Sequence, residues 1–361
     1  MIRVLIVDDS AVVRKVLAME LSKYRDIEVV GGAIDPYVAR DKIVRLRPDV
    51  VTLDLEMPRM NGLAFLAKLM KHYPLPVVVV SSLTPKNSET AMRALELGAV
   101  EVICKPGSAY SASEISHQLI RAVRAAASAR IAQPQGTLEA PAKMSDTSDF
   151  HLQTTHKVLA IGASTGGTKA IESLLRGLPP TSPGTLIVQH MPEQFTRTFA
   201  QRLNEICQVE VREARDNDGV VPGVALVAPG NHHLLLEQSG ARYLARIKNG
   251  PAVNHHRPSA DVLFQSVARS AGSSAIGVIL TGMGSDGAKG LLAMHEKGAY
   301  TLAQDEQTCV VFGMPKEAIR LGAVDKVFPI QHIPEAIVSF LKQPGKEDEN
   351  EAPRPHGGAS R

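Results

Sequence analysis

Ser164 stands in Gly162-Ala163-Ser164-Thr165-Gly166-Gly167, straight after an apolar run, and satisfies the G-x-S-x-G spacing that lifts a serine hydroxyl out of a tight strand-to-helix turn. The glycines permit unusual dihedrals and close approach of a substrate, and amides at the start of the following helix can stabilise negative charge. Alone, the pattern equally describes a plain turn or a phosphate cradle. A serine nucleophile needs a base within hydrogen-bond reach, and the base needs a carboxylate that fixes its tautomer. His190 follows Thr185-Leu186-Ile187-Val188-Gln189 directly, and Asp286 lies in Thr281-Gly282-Met283-Gly284-Ser285-Asp286-Gly287 after Val278-Ile279-Leu280. All three candidates therefore stand just past apolar runs. Their chain order Ser, His, Asp is not the Ser, Asp, His order of α/β-hydrolases, which points to an independent origin of the triad.

A second constellation is acidic. Asp8 and Asp9 follow the first apolar run and Asp54 the third. Functional groups of open parallel sheets gather past the carboxyl ends of strands, so the three carboxylates are expected at one rim. Like charges there need a cation, and an all-oxygen donor set of this size suits Mg²⁺. Lys105, followed by Pro106, reaches the same rim as a counter-charge for a phosphoryl group, and Ser81, in preference to Ser82, offers it a hydroxyl.

Other chemistry-bearing residues read more plainly. His232-His233 and His255-His256 are adjacent pairs whose rings diverge in extended chain, so no metal site is expected there. Arg257 and Asp261 form either a structural ion pair or a site for substrate carboxylates, and Met283 and Met314 are packing residues by default. Gly282-Met283-Gly284-Ser285-Asp286-Gly287 also satisfies G-x-G-x-x-G, with Asp305 about twenty residues further on. A carboxylate inside a pyrophosphate loop, with little chain after it, argues against a dinucleotide fold.

The elements that must position these groups are legible as alternating patterns. Val4 to Val7, Val29 to Gly31, Val50 to Leu53, Val77 to Val80 and Val100 to Cys104 are apolar enough for strands buried on both faces. Val12 to Leu21 and Gly62 to Met70 place apolar residues three and four apart, as helices covering a sheet do. Residues 1–124 thus predict a doubly wound, flavodoxin-like parallel sheet. Residues 125–154 pass from Ala-rich helix into Gln133-Pro134-Gln135-Gly136 and Ser145-Asp146-Thr147-Ser148-Asp149, a linker. A second alternation begins at Lys157 to Ile161 and continues through Thr185 to Gln189, Val224 to Ala228, Ala275 to Leu280 and Ala299 to Ala303. It predicts a larger, Rossmann-like α/β domain over residues 155–343, with a polar tail at 344–361 expected to be disordered.

Composition limits the partners. The 361 residues suit two domains, and 44% hydrophobic with 21% charged residues is the balance of a protein with sizeable cores. The 40 basic and 37 acidic residues are mixed along the chain, so neither nucleic acid nor an anionic membrane is an expected partner. Cys104, Cys207 and Cys309 form no CxxC pair, and neither a secretory signal nor an apolar span of about 18 residues occurs. These features lead to the expectation of a cytoplasmic protein without membrane insertion.

Two resemblances then follow from the motifs. Asp8-Asp9, Asp54 with Met57-Pro58 and Asn61-Gly62, Ser81, and Lys105-Pro106 together resemble the response-regulator receiver family over nearly all of residues 1–124. That resemblance implies a phosphoryl group passing from a histidine kinase to Asp54, with Asp8, Asp9 and Asp54 holding Mg²⁺. Val102 stands where receivers usually carry Tyr or Phe, which puts an aromatic switch in doubt. Gly162 to Gly167, Gln189-His190-Met191-Pro192, Ala228 to His233, Thr281 to Gly287, Ala303 to Glu306 and Val311 to Pro315 resemble the chemotaxis protein-glutamate methylesterase family. The resemblance implies hydrolysis of glutamyl methyl esters on methyl-accepting chemotaxis receptors, with release of methanol, and deamidation of certain receptor glutamines. Ser164 is then the nucleophile through an acyl-enzyme, His190 the base and later the acid, and Asp286 the buried orienter. Backbone amides near Met283 and Thr165 are oxyanion-hole candidates, a role worth ~3 kcal/mol. The pairing of a chargeable switch with an enzyme predicts that the unphosphorylated receiver covers the Ser164 cleft and that phosphorylation of Asp54 opens it.

Overall fold

The computed structural model describes residues 1–57, 60–82, 84–105, 112–131 and 156–342. The first unit runs β1 (Ile2–Val7), α1 (Ala11–Leu21), β2 (Ile27–Ala33), α2 (Pro36–Leu46), β3 (Val50–Asp54), α3 (Gly62–His72), β4 (Val77–Ser81), α4 (Pro85–Glu96), β5 (Glu101–Cys104) and α5 (Ala112–Ser128). Every residue of β3 and β4 is buried, which is why these runs lack alternation. All neighbouring strands pair in parallel, in the order β2-β1-β3-β4-β5. The order reverses between β1 and β3, and a crevice therefore opens past their carboxyl ends, where Asp8, Asp9 and Asp54 lie. Ser10, Asp35 and Asn61 cap the helices that leave this rim, each through a side-chain oxygen accepting a backbone amide.

The second unit runs β6 (Val158–Ala163), α6 (Gly167–Arg176), β7 (Gly184–Gln189), α7 (Glu193–Ile206), β8 (Glu210–Glu213), β9 (Val224–Val227), β10 (His233–Ser239), β11 (Arg242–Lys248), α8 (Ala260–Ser270), β12 (Ala275–Ile279), α9 (Ala288–Glu296), β13 (Tyr300–Gln304), α10 (Met314–Arg320), β14 (Lys326–Phe328) and α11 (Ile333–Leu341). Its seven-stranded sheet has the order β14-β13-β12-β6-β7-β9-β8, and all its neighbours are parallel. Strands β6, β7 and β12 are buried throughout. The chain moves outward from β6 in one direction and returns to its other side at β12, so β6 is the switch point.

Of the linker expected at 125–154, residues 125–128 form the end of α5, and residues 132–154, like the expected tail, lie outside the described residues. Four strands are not legible as buried runs. β8 and β14 are short edge strands with charged, half-exposed faces, and β10 and β11 form a separate antiparallel hairpin turned at Gly240, whose φ is 60°.

The units touch through α4 on α7, and buried residues of both belong to one continuous apolar cluster that includes Met92, Leu95, Val102 and Phe195. Inside the second unit, α8 and α9 pack closely because Gly290 has no side chain: a Cβ there would lie 2.7 Å from Phe264 Cβ and 2.8 Å from the Asp261 carbonyl oxygen. Alanine would gain about 1 kcal/mol of helix propensity but must push α8 away, a cost of about 1–3 kcal/mol. Gly290→Ala is therefore expected to lower stability in denaturant unfolding, and an unchanged or raised midpoint would contradict this packing.

Candidate active site

The switch point gathers the three residues that the sequence singles out. Ser164 follows β6, His190 follows β7 on one side, and Asp286 lies in the loop after β12 on the other. Parallel pairing of β6 with both neighbours puts all three strand ends at one edge. The turn after β6 is stitched to the 281–284 loop: Ser164 N donates to the Thr281 carbonyl at 3.0 Å, and the Thr281 hydroxyl donates to the Thr165 carbonyl at 3.0 Å. Thr165 and Met283, the oxyanion candidates, are thereby on adjoining backbone. Gly282 is required here, since a Cβ would meet Ser164 Cβ at 2.7 Å.

Asp286 is 1% exposed and fully engaged. Its Oδ2 accepts from His190 Nε2 at 2.8 Å and from the Ala260 amide at 2.7 Å, while Oδ1 accepts from Ser259 Oγ at 2.7 Å and Asn254 Nδ2 at 2.8 Å. Burial opposes its charge, but the His190 bond and field, with the Asn254 and Ser259 bonds, prevail and hold the carboxyl down at about 2. A bond from Nε2 leaves the other ring nitrogen, Nδ1, as the one able to accept a proton. Nδ1 is buried without a partner, and His190 lines the same cleft as Ser164. The serine hydroxyl is thus not bonded to the ring in this conformation, as is common before substrate tightens a catalytic hydrogen bond.

In the first unit, Asp8, Asp9 and Asp54 offer carboxylate oxygens all within 4.8 Å of one another. Asp8 and Asp54 are buried, and Lys105 Nζ lies 3.2 Å from Asp8 Oδ2 and 2.7 Å from Asp54 Oδ2. Burial drives the Asp54 carboxyl upward against the pull of Lys105. Burial disfavours the Lys105 ammonium as well, but the bond to Asp54 and the fields of Asp54 and Asp8 outweigh it and raise its pKa. Ser81 is buried at the end of β4, and Ser82 Oγ turns to Glu56 Oε2 at 3.3 Å.

The family model described as CheB methylesterase matches residues 159–337, and the one described as response regulator receiver domain matches residues 4–115. A protein-glutamate methylesterase/protein-glutamine glutaminase 2 from Syntrophus aciditrophicus (strain SB) is 58% identical over 342 residues, covering 94% of this chain and 99% of its own length. This chain belongs to the CheB methylesterase family. A second relative, named protein-glutamate methylesterase/protein-glutamine glutaminase, from Yersinia pestis bv. Antiqua (strain Antiqua), is 55% identical over 343 residues, with 94% of this chain and 97% of that protein covered. The crystal structure of the Thermotoga maritima CheB methylesterase catalytic domain matches with TM-score 0.51 and 37% identity, covering 52% of this chain and 99% of that domain. The two α/β domains expected from sequence are those of a receiver and a methylesterase.

In this methylesterase the receiver lies against the cleft. Met92, Leu95 and Val102 face Ser164, His190 and Phe195 across it, and the space between, about 20 Å³, admits a water molecule but not a glutamyl side chain. Glu101, at the start of β5, accepts from the Thr165 hydroxyl at 2.7 Å, one residue from Ser164, and also holds Arg121 of α5 at 3.3 Å. Outside the cleft, Arg202 of α7 pairs with Glu96 of α4, and Arg130 pairs with Glu306 at 2.8 Å.

Several residues differ from the sequence reading. Arg257 does not pair with Asp261: it bonds Asn231 Oδ1 and the Gly250 carbonyl, while Asp261 accepts from Asn254 Nδ2 and the Gly290 amide, both at 2.7 Å. The reason is depth, since Asp261 is buried under α9 and the Arg257 guanidinium stays near the surface. His256 stacks on His190 with centroids 3.7 Å apart and planes 8° apart. The sequence reading gives Asn254 and Ser259 no role and treats His256 only as one of an adjacent pair, because no local spacing distinguishes them; only Ser259, three residues before Val262 at a helix start, carries a readable cap signal.

The depressed Asp286 carboxyl has a pH consequence. Its folded-state value of about 2 lies below the ordinary 3.8, so its contribution is present above about pH 4 and is lost as pH falls through 2. The fall from 3.8 to about 2 corresponds to about 2 kcal/mol. Unfolding by urea is expected to find Asp286→Asn less stable than the unsubstituted protein by roughly that amount at neutral pH, with the gap closing in acid. A gap that stays constant down to about pH 2 would contradict it.

Proposed function

We propose that this chain is a phosphorylation-controlled serine hydrolase that demethylates glutamate methyl esters on methyl-accepting chemotaxis receptors and deamidates particular receptor glutamines, giving sensory adaptation. The observation that carries the reading is the fixed tautomer of His190: Nε2–H donates to the ionised Asp286 carboxylate, and Nδ1 is left without a partner on a ring that lines the same cleft as Ser164.

Ser164 Oγ attacks the ester carbonyl as its proton passes to His190 Nδ1, and the Thr165 and Met283 amides receive the developing oxyanion. The C–O bond to methoxide then breaks, and the imidazolium returns its proton so that methanol leaves. Water enters, gives a proton to His190 and adds to the acyl-enzyme, and collapse frees glutamate and restores the serine. With glutamine the leaving group is ammonia, and the same two half-reactions give glutamate. Asp286 stays ionised throughout and stabilises the imidazolium.

The receiver supplies control. Asp54 accepts the phosphoryl group of a kinase phosphohistidine, the P–N bond breaking as the P–O bond forms. Two buried carboxylates and a third at their edge face a single ammonium, an excess of negative charge on hard oxygen donors that fits Mg²⁺. Held by Asp8, Asp9 and Asp54, the ion would neutralise phosphoryl oxygens, while Lys105 and the Ser81 hydroxyl contact the same group. Phosphorylation draws Lys105 toward the new oxygens, and Lys105 directly follows β5, the strand whose other end is Glu101 on Thr165. Four residues, ~13 Å of extended chain, therefore join the phosphorylation site to the cover over the nucleophile.

The test is methanol release from a methylated receptor cytoplasmic fragment, with and without acetyl phosphate and Mg²⁺. Release is expected to rise at least tenfold with the phosphodonor, on the order of 1.4 kcal/mol of cover removed, and to fall by about 10⁴ or more in Ser164→Ala. Release that persists in Ser164→Ala would overturn the chemistry. Release indifferent to the phosphodonor would overturn the control.

A further inference from the structure

We propose that His256 is a positioning residue for His190: its ring, laid flat against the imidazole, holds the plane in which Nδ1 serves Ser164, and it is the part of the esterase that Arg121 of the receiver grips. The inference rests on the role given to His190 above. The rings are stacked and nearly parallel, 8° apart, with centroids at 3.7 Å, closer than a casual contact. The hydrogen bond from Nε2 to Asp286 fixes one ring atom and leaves rotation about that bond open; a flat face against the ring removes it.

The backbone that delivers His256 is built for the purpose. Val253 and His256 exchange both backbone hydrogen bonds, at 3.0 and 2.9 Å, and the two residues between them, Asn254 and His255, have φ of 51° and 65°. Two consecutive non-glycine residues in the left-handed region are costly and persist only where surrounding contacts demand them. Here one turn serves both partners of the dyad: Asn254 Nδ2 bridges Asp286 and Asp261, and His256 covers His190.

Arg121 NH1 lies 2.6 Å from Nδ1 and 3.0 Å from Nε2 of His256, and its NH2 reaches Glu101 at 3.3 Å. A guanidinium only donates, so His256 accepts and is neutral. Burial, then the fields of His190, Arg121 and His255, keep its pKa well below the ordinary value. A neutral flat ring is also what tolerates the imidazolium that forms on His190 during the reaction.

The experiment uses the full chain, phosphorylated by acetyl phosphate with Mg²⁺, and measures methanol release from a methylated receptor fragment for His256→Ala, His256→Phe and Ser164→Ala, each checked for folding by circular dichroism. His256→Ala is expected to lose about tenfold or more in kcat with KM within about twofold, because a misplaced base slows chemistry without weakening substrate binding. His256→Phe, which keeps the flat face and loses the nitrogens, is expected to recover kcat to within about threefold of the unsubstituted enzyme. If His256→Ala does not fold, His256→Leu, which fills the space without a flat face, takes its place and is expected to show the same loss. Unchanged kcat in a folded Ala or Leu variant, a loss confined to KM, or a Phe variant as slow as the Ala one would each overturn the proposal. Activity surviving in Ser164→Ala would instead remove the esterase reading on which it rests.

Discussion

A carboxylate buried at 1% exposure must find its donors inside the protein, and Asp286 finds four. They come from separate stretches of chain: the end of β7, the 253–256 turn, and the cap and first residue of α8. Satisfying that one charge therefore locks three segments that sequence leaves unrelated. An unpaired ion at this depth would cost several kcal/mol, so the four donors offset a penalty that would otherwise weigh on the fold. The same network sets the His190 tautomer, so the group that orders the loops also decides which ring nitrogen is left without an internal partner.

Around this anchor the fold supplies place and the receiver supplies access. The order β12-β6-β7 brings the serine, histidine and aspartate loops to one edge without any of them being close in sequence. The receiver uses the corresponding edge of its own sheet for Asp8, Asp9 and Asp54, and spends the β5 end of that sheet on the esterase. Contacts there are mixed, apolar from Met92, Leu95 and Val102, polar from Glu101 and Arg121. A surface of that kind can be tipped by the one or two charges that phosphorylation adds, where an all-apolar seam of the same extent could not. Val102, in the place where receivers usually carry an aromatic, lines the cleft, so a small side chain there lets the receiver sit close over Ser164.

Legibility in the sequence followed the range of the signal. Central strands such as β3, β4, β6, β7 and β12 are apolar throughout because both faces are covered, and they were readable. The edge strands β8 and β14 and the exposed hairpin of β10 and β11 lack that signature. Ser164, His190 and Asp286 could be named because strand-end placement and a glycine-rich turn leave local marks. His256 could not, since its meaning lies wholly in a ring on another strand end, and its neighbour His255 suggested only a pair with divergent rings. Sequence left Arg257 and Asp261 open between an ion pair and a site for substrate carboxylates, and depth excludes the pair: Asp261 is under a helix and Arg257 near the surface.

The central claim is that Ser164 is the nucleophile and that the receiver stands in its way until Asp54 is phosphorylated. Its most direct measurement is the rate at which a small fluorophosphonate labels the full chain, with the modified residue located by mass spectrometry, before and after addition of acetyl phosphate and Mg²⁺. The account predicts a single adduct, on Ser164, formed slowly at first and faster once the phosphodonor is present. An adduct on another residue, or labelling of Ser164 at the same rate in both states, would contradict it.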